Sequence, residues 1–106
     1  MEAVISDSKS VTIDRAQPLA GQHAFVTGAS RGIGAAIAHE LGAMGASLSI
    51  TGRDVEALTT VKSDIVDAAG VNVCDYAFDV TDAQAIQRVV AEASDALGPI
   101  SILVNN

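Results

Sequence analysis

The sequence predicts an α/β protein: a doubly wound parallel sheet, partial in extent, with four strands in the order 3-2-1-4 and three helices. Three observations carry that reading. Four short apolar runs, at residues 22–27, 47–51, 71–78 and 100–104, are separated by three longer stretches whose apolar residues recur every three or four positions, so strand period alternates with helical period. Strands that alternate with helices pair in parallel through right-handed crossovers. The first changeover from strand to helix also holds three glycines, Gly28, Gly32 and Gly34, as a tight backbone bend requires.

Residues 1–18 mix charges with small polar groups, show no sustained period and end at Pro18, which predicts a flexible N-terminal arm. Val11-Thr12-Ile13 is the piece of it suited to a short strand. The domain proper is expected over residues 19–106. Its first strand, 22–27, begins near His23, read as exposed. The first helix, 31–44, has Ile33, Ala36, Ile37, Leu41 and Met44 at helical spacing, which predicts one buried stripe. Gly45 is placed to close it, and Gly34, Ala35 and Ala38 are small enough to let it lie close on the sheet.

The second strand, 47–51, leads to Gly52-Arg53-Asp54, with Asp54 capping a helix that runs to Ala69. Leu58, Val61, Ile65 and Ala68 form its apolar face, and Gly70 ends it. Asn72 and Asp75 in the third strand suit a place near the sheet edge. Thr81 is expected to cap the third helix, with Gln84 completing a capping box and Ile86, Val90, Ala93 and Leu97 on the buried side. Gly98-Pro99 stops it. The last strand, 100–104, is almost wholly apolar and reads as covered on both faces. In the order 3-2-1-4 the switch point falls between strands one and four, so Gly28 and Asn105 flank one crevice.

The bend between the first strand and helix is where chemistry is expected. A helix starting there leaves its first N–H groups unpaired, at the positive end of its dipole, and so offers a site for a pyrophosphate. A Cβ at the glycines would hold a phosphate off the backbone. The spacing is Gly-x-x-x-Gly-x-Gly rather than the common Gly-x-Gly-x-x-Gly, and no Gly-Lys-Ser/Thr closes it as a Walker loop would. Glycines alone are turn formers; the strand before and the helix after give them a further meaning.

Composition narrows the function. The net charge of −7 argues against general binding to nucleic acid or to an anionic membrane. The single cysteine, Cys74, permits no internal disulfide and has no metal-ligand spacing around it. No apolar run approaches the roughly 20 residues that span a bilayer, and residues 1–10 lack a signal-peptide pattern. A cytoplasmic protein is expected. With only Phe25, Tyr76 and Phe78 aromatic, the core falls mainly to Ala, Val, Ile and Leu.

Thr27-Gly28-Ala29-Ser30-Arg31-Gly32-Ile33-Gly34 resembles the cofactor loop of the short-chain dehydrogenases/reductases. Asp79-Val80 after the third strand resembles the family's adenine-contacting pair, and Val104-Asn105-Asn106 the start of its Asn-Asn-Ala-Gly segment. The general appearance is similar to members of the 3-oxoacyl-carrier-protein-reductase type. The resemblance implies a Rossmann-like domain, truncated after strand four. It implies a pyrophosphate held by the Ile33 N–H and its neighbours, with Ser30 offering a hydroxyl. Asp79 would take the adenine amino group, the Val80 N–H the ring, and Asn105 the cofactor ribose. A complete member is expected to be a homo-oligomer.

The choice of nicotinamide cofactor turns on the end of strand two. An acidic side chain there accepts a ribose 2′-hydroxyl, as in NAD sites; this chain has Gly52 and then Arg53. Arginine binds a 2′-phosphate through charge-assisted hydrogen bonds, and Arg31 in the loop adds a second cation. That favours NADP over NAD. The competing reading makes Asp54 the ribose acceptor.

The family's Ser and Tyr-x-x-x-Lys cannot be carried over. Tyr76 is the only tyrosine, and Val80 stands four residues after it. No catalytic residue and no metal ligand is assigned. Two readings follow: the NADP-binding portion of a reductase or dehydrogenase, or a non-catalytic nucleotide-binding or interaction fragment. An open edge on strand four predicts self-association of the chain as it stands.

Overall fold

The computed structural model describes residues 2–6, 10–14 and 17–106. The expectation of a flexible arm lies outside the described residues at 1, 7–9, 15 and 16. Elsewhere in that segment the backbone pairs: β1 (Glu2–Ser6) and β2 (Ser10–Asp14) form a two-stranded antiparallel sheet, with Ala3 opposite Ile13. Val11-Thr12-Ile13 is thus a strand, and its partner is β1.

The remaining elements alternate: β3 (His23–Val26), α1 (Gly32–Ala43), β4 (Ser47–Gly52), α2 (Val55–Ala69), β5 (Val73–Ala77), α3 (Ala83–Leu97) and β6 (Ile102–Val104). The four strands form one parallel sheet in the order β5-β4-β3-β6, the partial doubly wound, Rossmann-like arrangement expected from the alternation. Residues of β3 point alternately to its two faces. Ala24 and Val26 join Leu48, Ile50, Leu58, Val61 and Ile65 in the larger core under α1 and α2. Phe25 packs with Val89 and Ala93 of α3 on the other face, where Tyr76, Phe78 and Ile100 close around it. Among the described residues, no helix is long and apolar enough to cross a membrane.

Two helices keep the expected period with a different phase. The buried residues of α1 are Gly34, Ala38 and Gly42, whereas Ile33 is 72% exposed. Those of α3 are Ala85, Val89 and Ala93, leaving Val90 exposed and Ile86 and Leu97 half-buried. In both cases small residues take the line of closest approach. A Cβ on Gly42 would come within 2.8 Å of the Ile65 side chain and force it to shift, and Ala93 leaves room for Phe25 and its aromatic neighbours. In α2 the anchors Leu58, Val61 and Ile65 are buried as expected, with Ala68 exposed.

The caps show one agreement and one shift. Asp54 caps α2, accepting from the Ala57 N–H at 3.1 Å, and Gly70 closes it in a left-handed conformation at φ 68°. For α3 the cap is Asp82, one residue after Thr81; its carboxylate accepts from the N–H groups of Gln84 and Ala85. A carboxylate at a helix start gains from the dipole as well as from the hydrogen bonds. Thr81 instead donates through its N–H and hydroxyl to Asp79 Oδ1, at 2.9 and 2.8 Å.

His23 reverses its expected exposure. It is 2% exposed, because β3 lies between two strands and its first residue is already covered. The ring is fully partnered: Nδ1 lies 2.8 Å from the Gly98 carbonyl and Nε2 lies 2.8 Å from Ser49 Oγ. A carbonyl can only accept, so Nδ1 carries the proton. The pair of bonds ties the start of the central strand to β4 and to the turn after α3, and meets the requirement that buried polar groups be satisfied.

Candidate cofactor cleft

Three bends converge at the carboxyl ends of the strands, after β3, β4 and β5, and the end of β6 meets the first of them. Between them is a cleft of about 290 Å³. From the first bend it is lined by Thr27, Gly28, Ser30 and Arg31, from the second by Gly52, Arg53 and Asp54, from the third by Phe78 and Val80, and from the end of β6 by Asn106.

The first bend is built from its glycines. Gly28 and Gly32 both have positive φ, 61° and 63°, a left-handed conformation that costs other residues energy. Gly34 meets a different demand. A Cβ there would overlap the Gly28 carbonyl, so the first turn of α1 lies against the bend without a side chain between them. The helix starts from an extended Arg31 with no side-chain cap, unlike α2 and α3. Its first N–H groups have no partners within the helix. With its dipole, that start can hold an anion.

Charged groups gather at the cleft mouth and pair there. Arg53 Nη2 lies 2.7 Å from Asp79 Oδ2, and Arg31 Nη2 lies 3.2 Å from Asp54 Oδ2. The two arginine side chains are largely open to solvent and the two carboxylates a little under half so. The Arg53 guanidinium, helped by the Thr81 N–H and hydroxyl, holds the Asp79 carboxyl down to about 2, from 3.8. Asp79 in turn raises Arg53, first by the hydrogen bond and then by its charge. Neighbouring residues Arg53 and Asp54 thus link the second bend to the third and to the first.

Of the residues singled out in the sequence, Gly28, Ser30, Arg31, Arg53 and Val80 line the cleft. Gly32, Ile33 and Gly34 form its helix start, and Asp79 stands beside it, held by Arg53. Asn105 falls elsewhere: it lines an apolar groove between α3 and β6, while its Oδ1 lies 3.4 Å from Thr27 Oγ1. The residue missed is Asn106, whose amide donates to the Gly28 carbonyl at 3.2 Å and whose backbone N–H donates to Thr27 Oγ1 at 3.0 Å. Its place two residues after the last strand, across the switch point from Gly28, was the available signal. Tyr76 is pushed up to about 12, by burial first and then by Cys74, Glu92 and Asp75, and stays protonated at neutral pH. Among the described residues, no group of three or more His, Cys, Asp or Glu side chains is placed to hold a metal ion.

Comparison with known proteins places this geometry. A family model described as short chain dehydrogenase matches residues 22–106. The gluconate 5-dehydrogenase of Gluconobacter oxydans is 43% identical over 88 residues, covering 83% of this chain and 34% of that protein. A glycine betaine reductase of Emericella nidulans is 44% identical over 87 residues, 82% of this chain and 7% of that protein. Among solved structures, a metagenomic short-chain oxidoreductase in complex with NADP is 49% identical with a TM-score of 0.77, over 83% of this chain and 39% of that one. The L-sorbose reductase of Gluconobacter frateurii, complexed with NADPH and L-sorbose, is 34% identical with a TM-score of 0.79, over 83% and 34%. The chain spans about a third or less of the length of these curated relatives.

Proposed function

The chain belongs to the short-chain dehydrogenase/reductase family, and from that premise we propose that it is the NADP-binding portion of an oxidoreductase whose complete form moves a hydride between NADPH and a carbonyl or alcohol carbon. One observation carries the proposal: among the described residues, the one helix without a side-chain cap begins at the cleft, with two guanidinium groups at its mouth. In this reading the Ile33 N–H and its neighbours in Gly32 and Gly34 hold the pyrophosphate, joined by the Ser30 hydroxyl. Gly28 keeps the bend clear of side chains. Arg31 and Arg53 take the 2′-phosphate, and NADP and NADPH in the related structures support that choice over NAD. Asp79 and Val80 flank the adenine, and Asn105, on the groove that shares Thr27 and Val80 with the cleft, is assigned to the cofactor ribose.

When bound, the nicotinamide supplies or accepts the hydride. The chain's own residues bind and orient; an acid for the developing alkoxide is not among them, since Tyr76 lies in β5 and has Val80 four residues on. For these 106 residues by themselves, that absence favours a second reading, a nucleotide-binding module without turnover. The acidic charge and lone cysteine suit a cytoplasmic setting, and residues 19–106 are taken as the binding unit.

Titration of the chain with NADPH and NADH, followed by calorimetry, tests the proposal. Saturable binding with NADPH the tighter is expected, and Arg53→Asp reverses the order. If neither nucleotide binds, the cofactor reading fails; an unchanged order in Arg53→Asp removes the role given to Arg53 alone.

A further inference from the structure

We propose that Asp54 sets how strongly the cleft prefers a phosphorylated ribose, by acting as a built-in counter-ion to Arg31. The inference rests on the NADP reading above and goes beyond it by naming a residue that opposes the preference. The two oxygens of Asp54 have separate partners. Oδ1 accepts from the Ala57 N–H at 3.1 Å and so caps α2; Oδ2 takes the Arg31 guanidinium at 3.2 Å.

The same pairing repeats one residue earlier, with Arg53 on Asp79. Two cations and two carboxylates therefore meet at the mouth, and their formal charges cancel. An incoming phosphate dianion meets a locally neutral surface, and to reach either guanidinium it must share it with a carboxylate or displace one. The pairs differ in how firmly they are held. Asp79 is fixed by Arg53 at 2.7 Å and by both donors of Thr81. Asp54 holds Arg31 at the longer distance, with its other oxygen spent on the helix. Arg31 is thus the cation more readily exchanged, and Asp54 the carboxylate that competes with the phosphate for it.

Removing the charge of Asp54 leaves the mouth with a net positive charge, an attraction felt by a 2′-phosphate and not by a bare 2′-hydroxyl. Asparagine caps helices as well as aspartate does, so Asp54→Asn keeps the oxygen for Ala57 while neutralising the other function. Serine is a second neutral cap without an amide.

The test compares adenosine 2′,5′-bisphosphate with adenosine 5′-monophosphate on the 106-residue chain, by calorimetry. Asp54→Asn and Asp54→Ser should each bind the bisphosphate about two- to fivefold more tightly, the range open to solvent-exposed charges. The monophosphate should gain less than the bisphosphate, and the difference between the two should shrink as ionic strength rises to about 0.5 M. A helix-cap role alone would move neither the difference between nucleotides nor its salt dependence. Unchanged or weaker bisphosphate binding in the neutral variants, or an equal gain for both nucleotides, overturns the role of Asp54 while leaving the NADP reading in place. Failure of the parent chain to bind either nucleotide overturns both.

Discussion

The side-chain amide of Asn106 donates to the carbonyl of Gly28 at 3.2 Å, joining the end of β6 to the bend after β3. The fit is close. A Cβ on Gly28 would come within 2.9 Å of that amide nitrogen, and one on Gly34 would meet it at 2.8 Å as well as overlapping the Gly28 carbonyl. Gly34→Ala therefore has to push α1 off the bend, because backbone on one side cannot yield. Overpacking of this kind costs about 1–3 kcal/mol, and the displaced helix start should lose nucleotide affinity. Asn106→Ala removes one solvent-exposed hydrogen bond and should cost about 0.5–1.5 kcal/mol. Urea denaturation of the two variants checks the ranking, with Gly34→Ala the more damaging.

His23 predicts a loss of stability away from the cleft. His23→Leu leaves the fully buried Ser49 hydroxyl without its ring partner and deprives the Gly98 carbonyl of a donor. An unsatisfied buried group costs about 1–3 kcal/mol, so the urea midpoint should fall although the substitution makes the side chain more hydrophobic. Ser49→Ala should fall less, because the Nδ1 bond to Gly98 survives. A gain in stability for His23→Leu would show that the ring's bonds contribute nothing net.

Acid titration reads the Arg53–Asp79 pair. The folded carboxyl of Asp79 lies at about 2, below its ordinary value of 3.8, so the folded state favours the ionised form. Its contribution to stability is then complete above pH 3.8, declines as pH falls, and is lost as the solution passes through about 2. Carboxyl carbon shifts followed by NMR should show Asp79 still ionised at pH 3, where an unperturbed carboxylate is mostly protonated. In Arg53→Gln the Asp79 midpoint should rise toward the ordinary value, stopping short of it because both donors of Thr81 remain.

Much of this architecture is legible in the residues, and the failures share one cause. Alternating periods give the sheet order, since crossover handedness leaves few topologies open. Gly70 and Asp54 mark the ends of α2 through local chemistry that needs no neighbours. What a single sequence hides is phase. Ile33 and Val90 are hydrophobic and correctly spaced, yet the buried lines run through Gly34, Ala38 and Gly42 and through Ala85, Val89 and Ala93. Close helix–sheet packing is decided by the volume of what lies opposite, which hydropathy along one chain does not contain. The burial of His23 is hidden for a related reason: its partners, Ser49 and Gly98, are 26 and 75 residues away. At the cleft, the positions of Arg31 and Arg53 could be read from the sequence; their carboxylate partners required the fold.

The last strand carries the final prediction. β6 ends the sheet with one neighbour, β3, and Leu103 at its centre is 69% exposed. Val80 and Val90 are exposed beside it, and together these side chains line the apolar groove between α3 and β6. The sequence led us to expect this strand covered on both faces; among the described residues one face is open. An unpaired edge with an apolar centre is a template for pairing with another chain. The 106-residue chain should therefore self-associate at micromolar concentrations in sedimentation velocity. Leu103→Lys places a charge at the middle of that edge, the device by which natural edge strands resist pairing, and should return the chain toward a monomer while leaving β6 paired with β3. A wild-type chain that sediments as a single monomer and melts cooperatively would show that the edge is protected by something other than a second molecule.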